Sequence, residues 1–396
     1  MLYIAIPLLN ELENIPNLIK SIAAQKHQNY QVLFCINQPD DWWGKLDKIA
    51  ICKNNQESIK LIENTAYFPF HIIDKCSLGN GWKDNKLGVG WARKTLMDYI
   101  LNHANEQDII ISLDADTTFS ENYFSSVEQN IKDHPKAPAI AIPYYHPLSG
   151  KEAEDRAILR YEIYMRHYLI NLFRINSPYA YSALGSAIAM PVWALRKIGG
   201  MTPKKSGEDF YLLQKMVKFR PILNWNEEKV FPAARFSNRV FFGTGPAMIK
   251  GNEGDWSSYP IYPIMLFNQI AEFYKLIPTL FHKNIETPID RMFGGNEASN
   301  KVWDKLRKNN NDLSHFTKAV HDKFDGLRIL QFLKQSNEEI GASDEENLIQ
   351  FLKNTHGHKN LNMNLNLFQF NDSTIGQLNE IRDYLCSIED DFRQKA

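Results

Sequence analysis

The chain has 396 residues, 44% hydrophobic and 23% charged, with a net charge of −1; this is an ordinary globular composition, long enough for roughly two to three domains. The near-zero charge implies no general attraction to nucleic acid or anionic lipid. Cys35, Cys52, Cys76 and Cys386 show no paired metal spacing, and no signal peptide precedes a first strand that starts almost at Met1, so a reduced, cytoplasmic setting is expected.

Residues 2–6 read as a buried strand ending at Pro7. Ile15, Leu18, Ile19 and Ile22 give residues 10–24 a helical spacing, with Asn10 or Asn14 as cap and Pro16 in the first turn. A second strand over 31–36 is broken by Asn37-Gln38-Pro39-Asp40. This βαβ rhythm predicts a parallel sheet with right-handed crossovers. A helix at 57–63, a third strand at 70–73 and a Gly-rich polar loop over 77–90 follow. GVGWAR at 88–93 has the look of a dinucleotide-binding turn, but its glycines lie far beyond the strand. A loop ahead of a helix over 91–103 is the better reading.

The chain is organised around residues 109–119, IIISLDADTTF. Three isoleucines, Ser112 and Leu113 suit a strand buried on both faces. Asp114 and Asp116 cannot continue it, so the chain must surface there. Ligands gather beyond the carboxyl ends of strands in open α/β sheets. Such a carboxylate pair suits Mg²⁺ or Mn²⁺, which bind through one or two carboxylates plus substrate phosphates. Capping of the next helix is the competing use of the same residues.

A helix at 121–132 and a strand at 137–143 come next, then a long helix over 151–174. Its Arg156, Arg160, Arg166 and Arg174 read as a solvated face rather than as a site for an acidic ligand. A strand at 184–190 leads to a short helix through Lys197, stopped by Gly199-Gly200. Ser206-Gly207-Glu208-Asp209 has the form of a capping box, with Asp at the fourth position, ahead of a helix over 210–219. An edge strand at 229–232 precedes residues 233–250, where Arg235, Arg239, Gly243 and Gly245 suggest an ordered loop near an anion.

From about 259 the chain turns to helical segments with polar joins. Ser343 and Glu346 form a capping box, the alternation over 361–370 predicts a strand, and Leu378, Ile381, Leu385 and Ile388 mark a final helix. Residues 259–280 are the most apolar of this part but hold Glu272, Lys275 and three prolines, a poor bilayer span; a peripheral membrane contact stays compatible with them. His71, His134, His146 and His167 have no ligand spacing and read as structural.

Several stretches together resemble one family. IAIPLLNELENIPNLIKSI, GVGWARKTLMDYI, ISLDADTTF and GSAIAMPVWALRKIGGMTPKKSGEDFYLLQKM are similar, in that order, to the motifs of inverting GT-A glycosyltransferases of family 2. The resemblance covers roughly residues 1–245. It implies a GT-A-type, Rossmann-like α/β domain over 1–250, with a mostly parallel sheet flanked by helices, and a mainly helical extension over 251–396. It further implies that Pro7, Asn10, Glu11 and Asn37 lie beside the nucleotide and that Arg93 approaches the diphosphate, helped by Arg235 and Arg239. Asp114 would contact the ribose or the metal, Asp116 would ligate Mn²⁺ or Mg²⁺, and Asp209 would be the catalytic base, ionised by its place at a helix N-terminus.

The implied activity is transfer of a hexose from a nucleoside diphosphate sugar to a hydroxyl acceptor. The acceptor would be a glycan, a lipid-linked sugar or a cell-surface polysaccharide precursor, met in the cytoplasm or at the inner face of the membrane. The chain departs from the family in three places. Asn37-Gln38-Pro39-Asp40 replaces the usual acidic pair after the second strand, Lys94 stands where Asn is common, and the Gln/Arg/Trp signature of processive members is absent. Single addition is therefore expected rather than polymerisation. A nucleotidyltransferase is the enzymatic alternative, but PLLNELEN after the first strand is not the Gly-rich basic loop it needs. A non-catalytic nucleotide-sugar-binding protein is the other, disfavoured by the presence of Asp114, Asp116 and Asp209 together. Donor sugar, acceptor, linkage and oligomeric state are not set by these residues.

Overall fold

The computed structural model describes residues 1–83, 88–238, 243–355 and 361–395. The chain forms two compact units, Met1–Ile158 with Tyr181–Asp255 and Arg393–Ala396, and Leu159–Ala180 with Trp256–Phe392.

The first unit begins with strand β1 (Leu2–Leu8), helix α1 (Ile15–Ala23), strand β2 (Tyr30–Asn37), helix α2 (Ile49–Thr65), strand β3 (Phe70–Lys75), helix α3 (Val89–His103) and strand β4 (Ile109–Ser112). Every residue of β1 and β4 is buried, as the unbroken runs of β-branched and apolar side chains require of strands covered on both faces. After β4 come strand β5 (Thr117–Phe119), helix α4 (Tyr123–Asp133), strand β6 (Ile140–Ala141), helix α5 (Glu152–Arg174), strand β7 (Ile188–Pro191), helices α6 (Val192–Lys197) and α7 (Glu208–Phe219), strand β8 (Val230–Pro232) and helix α8 (Thr244–Asn252).

The main sheet has six strands in the order β3-β2-β1-β4-β7-β6. The first four are mutually parallel, and β7 runs antiparallel to both β4 and β6. β5 and β8 form a separate antiparallel pair. The order reverses beside β1: β2 and β3 build outward on one flank, β4 on the other. A switch point of this kind opens a crevice at the carboxyl ends of the strands that flank it, here β1 and β4.

The first strand runs through Pro7 rather than stopping there. β1 pairs with β2 as far as Leu8 but with β4 only as far as Ala5, whose carbonyl accepts from the Leu113 N–H. The N–H that proline lacks would face the β4 side, beyond the last bond of that ladder, so the ring costs nothing.

The second unit is helical. It holds the later part of α5 and helices α9 (Ile264–His282), α10 (Asn296–Asn309), α11 (Leu313–Lys323), α12 (Gly326–Ile340), α13 (Asp344–Lys353) and α14 (Ile375–Arg393). Phe273, Trp303, Phe316, Phe324 and Phe332 are fully buried in its core. Arg166 is buried too, 3.0 Å from Glu389 and 3.3 Å from Glu162, while Arg382 lies 3.6 Å from Glu162. Arg160 pairs with Asp344 at 2.9 Å and covers the Phe370 ring. Arg160 and Arg166 are thus not part of a solvated face, whereas Arg156, paired with the exposed Glu152 one turn back, and the exposed Arg174 are. Asp344 and Glu389, on helices far along the chain, supply partners for the first two.

Residues 361–370 form no strand; they hold only a 3-10 turn, Leu365–Leu367, which the Asn364 side chain caps by accepting from Asn366 N–H. The Ser343–Glu346 capping box is present with both of its bonds. Among the described residues no helix is long and apolar enough to cross a membrane.

Candidate active site

Beyond the carboxyl ends of β1 and β4, two guanidinium groups gather five carboxylates from three separate stretches of sequence. Arg93, on the first turns of α3, is 4% exposed. Its Nη2 donates to Asp114 Oδ1 at 2.5 Å and its Nε to Glu208 Oε1 at 3.0 Å. Its Nη1 donates to Ser112 Oγ and to the Gly185 carbonyl. One side chain therefore ties the end of β4 to the loop before β7 and to the start of α7. Gly185 makes this path possible: a Cβ there would fall 2.1 Å from Arg93 Nη2.

Arg235, just past β8, holds a second set. Its Nε and Nη2 donate to Asp116 Oδ2 at 3.0 and 2.6 Å, and its Nη2 also reaches both oxygens of Glu11 at 2.9 and 2.8 Å. Glu11 is 5% exposed and also accepts from Asn14 Nδ2. Charged neighbours are what allow carboxylates to be buried to this degree.

The loop ahead of α7 packs on glycine backbone. A Cβ on Gly90 would lie 2.0 Å from the Lys204 carbonyl oxygen, and one on Gly88, itself at φ +88°, 2.9 Å from that of Lys205. The GVG segment is thus a docking surface for the residues that lead to Asp209. The expected capping box at 206–209 does not form: the N-cap of α7 is Gly207, left-handed at φ 74°, with no side-chain cap bond. Asp209 instead accepts from the adjoining Phe210 N–H at 2.8 Å.

The electrostatics of Asp209 differ from expectation. Burial and the neighbouring Glu208 charge push its carboxyl up to about 7, against the pull of Arg93 and the Phe210 N–H. The helix N-terminus does not keep it firmly ionised, because desolvation and a like charge outweigh that field. Burial likewise raises Asp116, opposed by Arg235, with Asp114 adding to the rise and His146 lowering it. Burial works against the charge of Arg93, but Asp114, Glu208 and Asp209 together hold its guanidinium firmly charged.

Of the residues singled out from sequence, Glu11, Arg93, Asp114, Asp116, Asp209 and Arg235 come together here. Four of the Arg93 donors are occupied by protein. Asn37 lies apart, giving its amide N–H to the Leu8 carbonyl and taking the Trp82 indole N–H, so it ties the ends of β1 and β2. Asn10 adopts a left-handed backbone, φ 56°, anchored by Asn55. Pro7 is buried inside β1. Arg239 lies outside the described residues. Sequence reasoning gave no role to Ser112, Gly185 or Glu208. The carboxyl doublet at 208–209 was the one signal pointing to Glu208.

The donor set bears on a divalent cation in a specific way. Among the described residues no three His, Cys, Asp or Glu side chains form a ready metal cage. Asp114 and Asp116 are hard oxygen donors in a site with an excess of negative charge, which fits Mg²⁺ or Mn²⁺ completing its shell with phosphate oxygens.

No protein-family model matches the chain, and no curated protein does. Among solved structures it is similar to residues 1–349 of S. aureus TarS in complex with UDP-GlcNAc, at 10% identity over 100% of this chain and 92% of that one, TM-score 0.43. It is also similar to the mannosyltransferase PcManGT from Pyrobaculum calidifontis in complex with GDP-Man and Mn²⁺, at 10% identity over 98% and 86%, TM-score 0.38. GalNAc-T7 with UDP, GalNAc and Mn²⁺ gives 12% identity over 82% and 57%, TM-score 0.37. Scores this low carry no argument about activity, and the roles of residues rest on the geometry above.

Proposed function

We propose that the chain is a GT-A-type glycosyltransferase resembling family 2, which moves a sugar from a nucleoside diphosphate sugar to an acceptor hydroxyl with inversion. The observation that carries this reading is the convergence of Asp114, Glu208 and Asp209 on Arg93 at the crevice of a switch-point sheet, with the Asp209 carboxyl poised at about 7.

Asp209 takes the proton of the attacking hydroxyl as its oxygen bonds to the anomeric carbon. The bond from that carbon to the phosphate oxygen breaks on the opposite face, and the diphosphate leaves with the electron pair. A base is most effective when its pKa lies near the working pH, and Asp209 has been moved there by its surroundings. Arg93 acts as a positioning residue: it orients Asp114 and, through Glu208, the first turn of α7. Arg235 would meet diphosphate oxygens with charge-assisted hydrogen bonds once a cation takes over Asp116. Asp114 and Asp116 would hold a divalent cation, which when bound neutralises charge developing on the leaving diphosphate. Acceptance by a glycan, lipid-linked or surface-polysaccharide hydroxyl, in the cytoplasm or at the inner membrane face, rests on the sequence resemblance alone.

The test is a panel of nucleotide sugars assayed for hydrolysis and transfer, with Mn²⁺ and in excess chelator, and with the anomeric configuration of the product recorded. One donor cleaved in a metal-dependent way with inversion is expected. No cleavage of any donor, with no nucleotide bound, overturns the reading.

A further inference from the structure

Arg235 is the group in this site with the least settled purpose. It is anchored to Asp116 and Glu11 by four short contacts, with Glu13 a further 3.7 Å away. Asp116 is a residue proposed to hold a cation, and a guanidinium already neutralises it.

The charges decide what this means. Among the described residues Glu11, Asp114, Asp116, Glu208 and Asp209 face Arg93 and Arg235, with Glu13 beside Arg235. Even with the Asp209 carboxyl at about 7 and so partly protonated, these side chains keep an excess of negative charge. A diphosphate arriving alone meets that excess. A divalent cation arriving alone must displace Arg235 from Asp116, costing the guanidinium its two contacts there. When both arrive, Arg235 exchanges Asp116 for phosphate oxygens, and no ion is left uncompensated. Charge-assisted bonds lost on one side are then regained on the other.

We infer that Arg235 is an internal placeholder for the cation: it occupies Asp116 until a divalent metal and a nucleoside diphosphate bind together, and so makes the two ligands depend on each other. This rests on the nucleotide-sugar reading of the site. The coupling is a property of binding and is reciprocal: whatever factor nucleotide adds to metal affinity, metal adds to nucleotide affinity.

Binding of Mn²⁺ followed by calorimetry and by the free-ion electron paramagnetic resonance signal tests it, without turnover. Titrations of the full chain are run with Mn²⁺ alone, with UDP or GDP alone, and with each in the presence of the other. Wild type should bind Mn²⁺ weakly alone and ~10-fold or more tightly with nucleotide, within the usual range of coupling between sites. In Arg235→Ala, Mn²⁺ alone should bind ~10-fold more tightly than in wild type, and the mutual enhancement should shrink toward none. Arg235→Lys keeps the charge but loses the fork, and should fall between the two; it carries the test if the alanine variant does not fold. Equal affinity for Mn²⁺ alone in wild type and both variants overturns the inference, as does undiminished coupling in them, while nucleotide binding itself would still support the site. Absence of any nucleotide binding to wild type, with or without Mn²⁺, overturns the inference and the proposed function together.

Discussion

The two units each bury arginines against carboxylates, and the contrast between them is instructive. In the helical unit Arg166 and Arg382 meet Glu162 and Glu389, and all four side chains are at most 1% exposed. Apart from the half-exposed Asp383, 3.4 Å from Arg382, these charges pair with one another away from water. Among the described residues of the sheet-bearing unit, Arg93 and Arg235 face Glu11, Asp114, Asp116, Glu208 and Asp209, with Glu13 3.7 Å from Arg235, and Asp114 and Arg235 remain 36% and 19% exposed. A sealed set has no use for a ligand and is read as structural. A set rich in carboxylates and partly exposed still has use for positive charge, and on the proposed reading it is where the chemistry takes place.

The largest effect that would break this comparison is at Asp209. Asp209→Asn should lower turnover by ~10²–10⁴-fold, the usual worth of a general base, with donor binding unchanged in calorimetry. Near wild-type transfer would remove Asp209 from the mechanism. The wild-type rate at saturating substrates should fall about tenfold per pH unit below a pKa near 7, because only the ionised base works. The stability sign runs the other way. A carboxyl raised from 3.8 to about 7 on folding resists ionisation in the native state, so its contribution is lost as pH rises through about 7. Asp209→Asn should therefore be more stable than wild type above neutral pH, with the gain gone below about pH 4, as read from thermal midpoints.

In the helical unit the expected loss is stability. Arg166→Met leaves Glu162 and Glu389 without their shared partner. It should cost about 3–5 kcal/mol in chemical denaturation, with the turnover of folded molecules unaffected. A cost near zero would show that the sealed set is not held as described.

The smallest expected effect is at Gly185. Gly185→Ala must push Arg93 aside, so kcat should drop by about tenfold, short of the ~10²-fold that a 1 Å misplacement can cost, with the unfolding midpoint lowered as well. An unchanged kcat would show that Arg93 can re-seat without consequence for the base.

Much of the sheet was legible because a buried parallel strand needs an unbroken apolar run, and 2–6, 31–36 and 109–113 have one. The reversed direction of β7 was not, since antiparallel and parallel pairing place the same demands on so short a segment. Residues 361–370 alternate like a strand, but alternation names a periodicity and not a partner; the asparagines there satisfy the backbone locally instead. Arg166 looked solvated because Glu389 is 223 residues away. Within the site, Asp114 and Asp116 stood out as charge breaking an apolar run, while Asp209 read locally as a helix cap and was marked only by the family resemblance. The approach of Lys204 to Gly90 and the path of Arg93 past Gly185 are close contacts between remote segments, and no local pattern encodes them.

The reach of Arg93 has a consequence for how the protein can be remodelled. Because one guanidinium locks the first turn of α7 to the end of β4, those two places cannot be altered separately: a change that shifts Glu208 is transmitted to Asp114. The far turns of α7, toward Phe219, are tied instead to residues 193–202, through Lys215 and Phe219. Attempts to graft a new acceptor preference onto this scaffold have more latitude there than at residues 207–209.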